Sequence, residues 1–272
     1  MLSCPWSTAE LRRLSRHLRD ETPPTQNHPT YGEVVTFYND LAAAVQRKIA
    51  DLNWPPLLLE RPFEVTSRAK TLDTLRQKLQ RDRSTPLQNV QDIAGVRFEA
   101  EMSLDEQDAV VNAICGTFGH DMAESVRDMR TDPHSGYRAV HIWLRFPSRV
   151  EVQVRTHLQG QWANVYESAA DVLGRGIRYD EMPEGELEQK LVRGLREMST
   201  IRIARMEKDR NEIAKLDLLV GDLERKGITD LPEELRLRLD RLKTRGKSNE
   251  DKLKTTLAKL RTFFEQERER RA

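Results

Sequence analysis

The sequence predicts an α+β protein: a mixed, mostly antiparallel sheet flanked by helices, with a C-terminal helical extension. Three observations carry that expectation. Residues 140–146 and 150–155 alternate apolar and polar side chains, the period of a half-buried strand. Between about residues 61 and 180 such runs are interleaved with helical periods of three and four. Beyond about residue 183 the chain is dense in Glu, Lys, Arg and Leu, all strong helix formers.

Taken in order, residues 1–60 form a helical segment expected to pack on the core. Ser7 or Thr8 caps a first helix running through Arg19. Pro23, Pro24 and Pro29 interrupt it, and Val34, Phe37, Tyr38, Leu41, Val45 and Ile49 then mark an amphipathic helix over 31–52. Trp54-Pro55-Pro56 stops that helix. Residues 61–182 form the core domain. Its expected elements are a strand at 63–66, a helix at 68–79, a strand at 94–99, a helix at 105–118, a hairpin at 138–155 and a helix at 158–173. Residues 183–272 read as a charged helical hairpin or coiled coil. Leu187, Leu191, Leu195, Met198 and Ile201 make one stripe; Leu235, Leu239 and Leu242, then Leu253, Leu257 and Leu260, make others. Gly227, Pro232 and Gly246 are the expected breaks.

Composition narrows the function. With 33% charged residues against 38% hydrophobic, much of the length belongs in exposed helices. The 45 Lys and Arg nearly balance 44 Asp and Glu, so no global field recruits a polyanion and any phosphate-binding power is local. Two cysteines, Cys4 and Cys115, make neither a disulfide framework nor a metal site, which fits a reducing compartment. The first eight residues lack the layout of a signal peptide, and no apolar run approaches membrane length. A cytoplasmic protein without a membrane partner is the expectation.

Positive charge collects around the helix expected at 68–79. Leu72, Leu75 and Leu79 face a core, while Arg68, Lys70, Lys78 and Arg81 gather cations toward its two ends. That pattern serves as a phosphate clamp or as a solvated basic face. In the hairpin, a three-residue loop at 147–149 would pair Phe146 with Val150 and Leu144 with Val152, placing every aliphatic on one face. The other face carries His141, Trp143, Arg145, Glu151, Gln153 and Arg155, and is either wet or a site. The loop Asp132-Pro133-His134-Ser135-Gly136-Tyr137 delivers an aromatic ring placed to stack on a base. Asp92 and Glu151 together suit a hard ion such as Mg2+. Strand parity sets Asp92 and Arg97 on opposite faces unless Asp92 precedes the strand or Gly95 marks a bulge.

In order and in spacing, these blocks resemble the synthetase domain of the RelA/SpoT family. They are Arg68-x-Lys70, Lys78, Arg81, Asp92-Ile93-Ala94-Gly95-x-Arg97, Gly136-Tyr137-Arg138-x-x-His141 and Glu151-x-Gln153-x-Arg155-Thr156. The resemblance covers about residues 60–180 and implies a nucleotidyltransferase-like fold. It implies a pyrophosphokinase that moves the β,γ-pyrophosphate of ATP to the 3′-hydroxyl of a guanine or adenine nucleotide and releases AMP. Arg68, Lys70, Lys78, Arg81 and Arg97 would grip the ATP phosphates, and Asp92 and Glu151 would hold Mg2+. Glu151 would also take the proton of the attacking hydroxyl. Tyr137 would stack on the acceptor base, with His141, Gln153 and Arg155 on the acceptor side.

Two departures bear on the acceptor. Family members commonly carry a lysine in the loop before Gly-Tyr, as Lys-Pro-Asn-Gly-Tyr, where this chain has Asp132-Pro133-His134-Ser135-Gly136-Tyr137. No hydrolase domain precedes the synthetase blocks, which implies synthesis without removal. A short, unregulated synthetase of this kind resembles the toxic small alarmone synthetases, some of which modify the 3′-terminal adenosine of tRNA. That likeness implies tRNA as an alternative acceptor and an antitoxin partner, while the C-terminal helices, as a coiled coil, would pair two chains into a homo-oligomer. Residues 162–167 and 174–179 resemble the actinobacterial and phage branch of that group. There Arg175 and Arg178 bind an acceptor phosphate or serve as surface arginines at a helix end. A nucleotide-binding protein with a silent site is the reading from another class.

Overall fold

The computed structural model describes residues 3–23, 27–146, 148–227 and 233–271, with the side chains of 68, 69 and 235 outside that description. Pro24, Pro147 and Pro232, named above as breaks or loop residues, also lie outside the described residues, as does the side chain of Leu235. The chain divides into two compact units that alternate along the sequence. One comprises Met1–Ala100, Ala109–Asp128 and Val140–Val154; the other comprises Glu101–Asp108, Met129–Ala139 and Arg155–Ala272.

The first unit begins with α1 (Thr8–Asp20) and α2 (Tyr31–Ala50). Each opens on a reciprocal cap, Ser7 with Glu10 and Thr30 with Glu33, which satisfies backbone N–H groups that the first turn leaves unpaired. The short α3 (Pro55–Leu58) follows, then β1 (Phe63–Ala69), α4 (Leu72–Arg81), β2 (Ala94–Ala100), α5 (Leu104–Phe118), α6 (Met122–Ser125), β3 (Val126–Asp128), β4 (Val140–Arg145) and β5 (Arg149–Thr156). The mixed five-stranded sheet runs β1-β2-β5-β4-β3, as the α+β expectation requires.

One face of this sheet carries its buried aliphatic residues. Val96 and Phe98, Ile142 and Leu144, and Val150, Val152 and Val154 are all buried. α2 covers the β1 end, where Gln46 Nε2 donates to the Val65 carbonyl (2.7 Å) and Ser67 Oγ donates to Gln46 Oε1 (2.6 Å). Phe98 packs between Trp54 and Phe63, with ring centroids 4.8 and 5.7 Å away.

Three expectations change here. β1 continues through Ala69, because its last residues pair with β2 in the register Arg68↔Gly95 and Ala69↔Ala94. Arg68 is therefore a strand residue and α4 begins after Thr71; cross-strand pairing outweighs local helix preference. The hairpin pairs Leu144 with Val150 and Arg145 with Arg149, two residues away from the expected register. Phe146 leaves the strand to pack on Phe118 and His120, and the Arg145 N–H donates to His120 Nε2 (2.8 Å). A shift of two preserves strand parity, so the faces stand as expected. β3 has no counterpart in the sequence reading, since three residues are too few to show a period.

The second unit is helical: α7 (His157–Leu173), α8 (Glu186–Glu197), a π-helical turn (Met198–Ile203), α9 (Ala204–Arg225) and α10 (Glu233–Arg271). Leu158, Trp162, Val165 and Tyr166 of α7 join Val192, Leu195, Ile203, Leu257 and Phe264 in its core. The expected stripe on α8 is only partly buried. Leu195 is in the core, whereas Leu187 and Ile201 are 78% and 61% exposed, and Val192, Ser199 and Ile203 take the inward positions. Gly227 ends α9 at φ +81°, but Gly246 lies inside α10 and breaks nothing. Among such strong helix formers a single glycine costs only about 1 kcal/mol, which continuous packing outweighs. No helix among the described residues is long and apolar enough to cross a membrane.

A Cβ at Gly246 would stand 3.7 Å from Ile213 Cδ1, an ordinary contact. Gly246→Ala is therefore expected to raise stability by about 0.5–1 kcal/mol, read from the urea unfolding midpoint. A lower midpoint would show that the helix needs glycine there.

Candidate active site

The strand pairing that covers one sheet face with helices leaves polar residues on the other. Arg97 stands opposite Thr66 in the β1–β2 register, and His141 and Trp143 stand opposite Gln153 and Glu151 in the β4–β5 register. Asp92 sits in the turn ahead of β2, which removes the parity conflict with Arg97. The Lys70 N–H donates to the Ile93 carbonyl (2.9 Å) and Tyr31 Oη donates to the Lys70 carbonyl (3.0 Å), fixing the chain on leaving β1.

Two lysines close on Asp92. Lys70 Nζ lies 2.7 Å from Oδ2 and Lys78 Nζ lies 2.7 Å from Oδ1, one ammonium on each oxygen. Burial pushes this carboxyl up, but the two ammonium groups outweigh it and hold it at about 2. Arg81, in the last turn of α4, is exposed one turn beyond Lys78. The side chain of Arg68 is outside the described residues; its backbone position is opposite Gly95.

Glu151 is buried. His141 Nδ1 stands 3.2 Å from its Oε1, and Gln153 Nε2 donates to its Oε2 (2.8 Å). Burial pushes the Glu151 carboxyl up, and the Asp92 charge adds to that. The hydrogen bond and charge of His141, with the Gln153 amide, still carry it below its ordinary value. Both carboxylates are thus kept ionised, and Glu151 feels the Asp92 charge. Lys70, Lys78 and Asp92 meet directly, as do His141, Glu151 and Gln153, while Arg97 lies on the side of β2 away from buried Val96 and Phe98.

Sequence reasoning gave no part to Arg127, whose guanidinium lies 4.7 Å over the Trp143 ring. The overlooked strand β3 carries it opposite His141, and only that pairing would have signalled it. Trp143 Nε1 is buried with no hydrogen-bond partner among the described residues.

The remaining predicted residues belong to the second unit. Tyr137 is half-buried and its hydroxyl accepts from Arg155 Nη2 (2.7 Å), with the guanidinium 5.1 Å from the ring centroid. Gly136 before it has φ +85°, and a Cβ there would meet Trp162 at 3.1 Å, so the loop needs glycine at this point. Arg175 and Arg178 pair with Asp171 (3.5 Å) and Glu167 (2.8 Å) of α7. In the loop ahead of Tyr137, His134 Nδ1 (2.8 Å) and Ser135 Oγ (2.9 Å) both close on Asp180.

Residues 67–171 match the region found in RelA / SpoT proteins. Uncharacterized proteins of Mycobacterium bovis and Mycobacterium tuberculosis are 50% identical over 181 residues, which is 66% of this chain and 64% of theirs. The match thus spans less than two thirds of those curated relatives. In fold, the chain is similar to the small alarmone synthetase 2 from Bacillus subtilis. The TM-score is 0.51 at 19% identity, over 68% of this chain and 98% of that one. Residues 67–171 thus carry the region found in RelA / SpoT proteins.

Proposed function

We propose that this protein transfers the β,γ-pyrophosphate of ATP to the 3′-hydroxyl of a guanine nucleotide, with an adenine nucleotide as the lesser candidate. The observation that carries the reading is the Lys70–Asp92–Lys78 clamp, which shares unit and electrostatics with Glu151. Two ammonium groups against one carboxylate leave one surplus positive charge, so the clamp suits a more highly charged anion than Asp92. Arriving phosphate oxygens exchange with Asp92 for Lys70 and Lys78, and Arg97, Arg81 and Arg68 add further cations. Charge-assisted hydrogen bonds of this kind are worth about 1.5–3 kcal/mol each.

Asp92 and Glu151 fit Mg2+, which takes one or two carboxylates and completes its shell with phosphate oxygens and water. Asp92 and Glu151 would hold it there, and it would supply charge neutralisation for the transferring phosphates. Glu151 accepts the proton of the 3′-hydroxyl, and His141 and Gln153 hold its carboxylate in line for that transfer. The 3′-oxygen bonds to the β-phosphorus, the bond from that phosphorus to the α,β-bridging oxygen breaks, and the electron pair leaves on AMP. Positioning and charge do most of the work, as in other phosphoryl transfers. Tyr137, with Arg155 against its ring, offers the acceptor base a stacking surface.

A second reading, transfer to the 3′-terminal adenosine of tRNA, draws support from the loop before Tyr137. His134 and Ser135 are committed to Asp180, and no lysine is present there to grip the phosphate of a free nucleotide. Incubation with ATP labelled in its terminal phosphates separates the readings. Label in GDP or GTP supports the first, and label on tRNA only when the terminal adenosine is intact supports the second. Nucleotide bound with label transferred to nothing defeats both.

Glu151→Gln is expected to keep ATP binding while lowering turnover by about two orders of magnitude or more, the scale of a lost general base. Near-normal turnover would remove Glu151 from the mechanism.

Asp92 also predicts an acid dependence. Its folded pKa of about 2 lies below the ordinary carboxylate value, so its stabilisation is complete above that ordinary value and fades as pH falls toward 2. The contribution is about 2 kcal/mol, on the relation of about 1.4 kcal/mol per pKa unit. Urea unfolding of Asp92→Asn between pH 5 and 2 should show a correspondingly shallower loss; an unchanged slope would mean the clamp contributes nothing to folding.

A further inference from the structure

The second unit contains a buried acid that the proposed chemistry does not use. Glu207 of α9 is 3% exposed and accepts from Arg138 Nη1 at 2.6 Å and from the Thr156 hydroxyl. Both partners are placed tellingly. Arg138 follows Tyr137 in the chain and Thr156 follows Arg155, and Tyr137 and Arg155 are themselves bonded and stacked. One carboxylate therefore anchors the next residue on each side of the tyrosine–arginine contact. Thr156 is also the N-cap of α7, its hydroxyl accepting from the Gln159 N–H, and Arg138 Nε reaches the Arg130 carbonyl (3.3 Å). The anchor is thus tied at both ends to fixed backbone.

The helix is wound to bring this acid inward. Leu195, Ser199, Ile203, Glu207 and Asn211 are all buried, at a strict spacing of four. In a regular α-helix each step of four overshoots a full turn by about 40°, so three steps from Leu195 would swing residue 207 about 120° out of line. The π-helical turn Met198–Ile203 has more residues per turn and absorbs that drift. Asn211 completes the row, bonding the Asp105 backbone N–H (2.9 Å) and carboxylate (3.1 Å).

We infer that Glu207 is a positioning residue for the acceptor: through Arg138 and Thr156 it fixes the Tyr137 ring against the Arg155 guanidinium. The C-terminal helices are then part of the acceptor subsite and not a detachable appendage. This rests on the proposed role of Tyr137, so the test includes that residue.

Steady-state kinetics are measured with ATP and GDP, or with deacylated tRNA where the labelling assay identifies it as acceptor. The variants are Tyr137→Ala, Glu207→Gln and the paired apolar replacement Glu207→Leu with Arg138→Met, which leaves no buried charge unpaired and should keep the fold. Thermal unfolding is followed alongside. The expected result is a rise of about tenfold or more in acceptor KM for all three, with ATP KM within about twofold and the paired replacement melting near wild type. If Tyr137→Ala raises acceptor KM but neither Glu207 variant does, the positioning role is overturned while the acceptor reading of Tyr137 stands. If Tyr137→Ala leaves acceptor KM unchanged, that reading falls, and the inference with it. Equal rises in ATP and acceptor KM, tracking lost stability, would reduce Glu207 to a structural group.

Discussion

The candidate site depends on the one-sidedness of the sheet. Four of its strands alternate so that every aliphatic side chain falls on the face that the helices cover, and a strand can do this only by sending its remaining residues the other way. His141, Glu151 and Gln153 face together because Ile142, Val152 and Val154 must be buried, and burial of Val96 and Phe98 turns Arg97 to the other side of β2. Register therefore matters more here than any individual polar contact. A slip of one residue in β5 would exchange Glu151 with Val150 or Val152, removing the proposed general base and exposing a core residue together. The observed displacement of the hairpin by two residues leaves this arrangement whole for the same reason.

Electrostatics on that face are arranged so that neither acid is neutralised by burial. A half-buried carboxylate left alone would favour its protonated form. Asp92 avoids this with one lysine on each oxygen, whereas Glu151 is more deeply buried and relies on His141 and Gln153. The two solutions have different consequences. Lysine ammonium groups are flexible point charges that can be transferred to another anion, while a histidine and an amide fixed on neighbouring strand positions are poorly suited to move. The partners of Asp92 are thus suited to transfer to another anion, and those of Glu151 to hold a geometry set beforehand. Removing one partner from such a buried group costs more than the interaction itself contributes, because the survivor keeps its charge without compensation.

Legibility in the sequence followed the range of the interactions. The caps at Ser7 and Thr30 and the stripe on α2 act within a few residues, and the helices they specify lie where periodicity puts them. The aliphatic face of the hairpin was readable from alternation alone. Long-range pairing was not. β1 extends to Ala69 because Ala94 and Gly95 are there to pair with it; β3 exists because β4 offers an edge; and α10 passes through Gly246 because packing continues on both sides. At the site, the charged residues were readable as types, and the resemblance put them in order. That both lysines would close on Asp92 depends on the turn before β2, which parity alone left open. Arg175 and Arg178, suited by sequence to phosphate or to surface, have carboxylate partners on α7.

Buried polarity in the second unit has a comparable logic. A long helix packed only through leucines can shift by a turn at modest cost, since one apolar contact resembles the next. Hydrogen-bonded groups at buried positions do not allow that, because a shift of α9 by four residues would bring Ile203 to Arg138 in place of Glu207 and leave the guanidinium unpaired. Asn211 on Asp105 and the Gln107–Gln159 contact (2.9 Å) act in the same sense at neighbouring points. Such networks add little net stability over well-packed hydrocarbon, and their benefit is a single register. Where the residues bonded to that network adjoin Tyr137 and Arg155, a fixed register of α9 becomes a fixed geometry for the tyrosine–arginine pair, which is what a stacking surface for a nucleotide base requires.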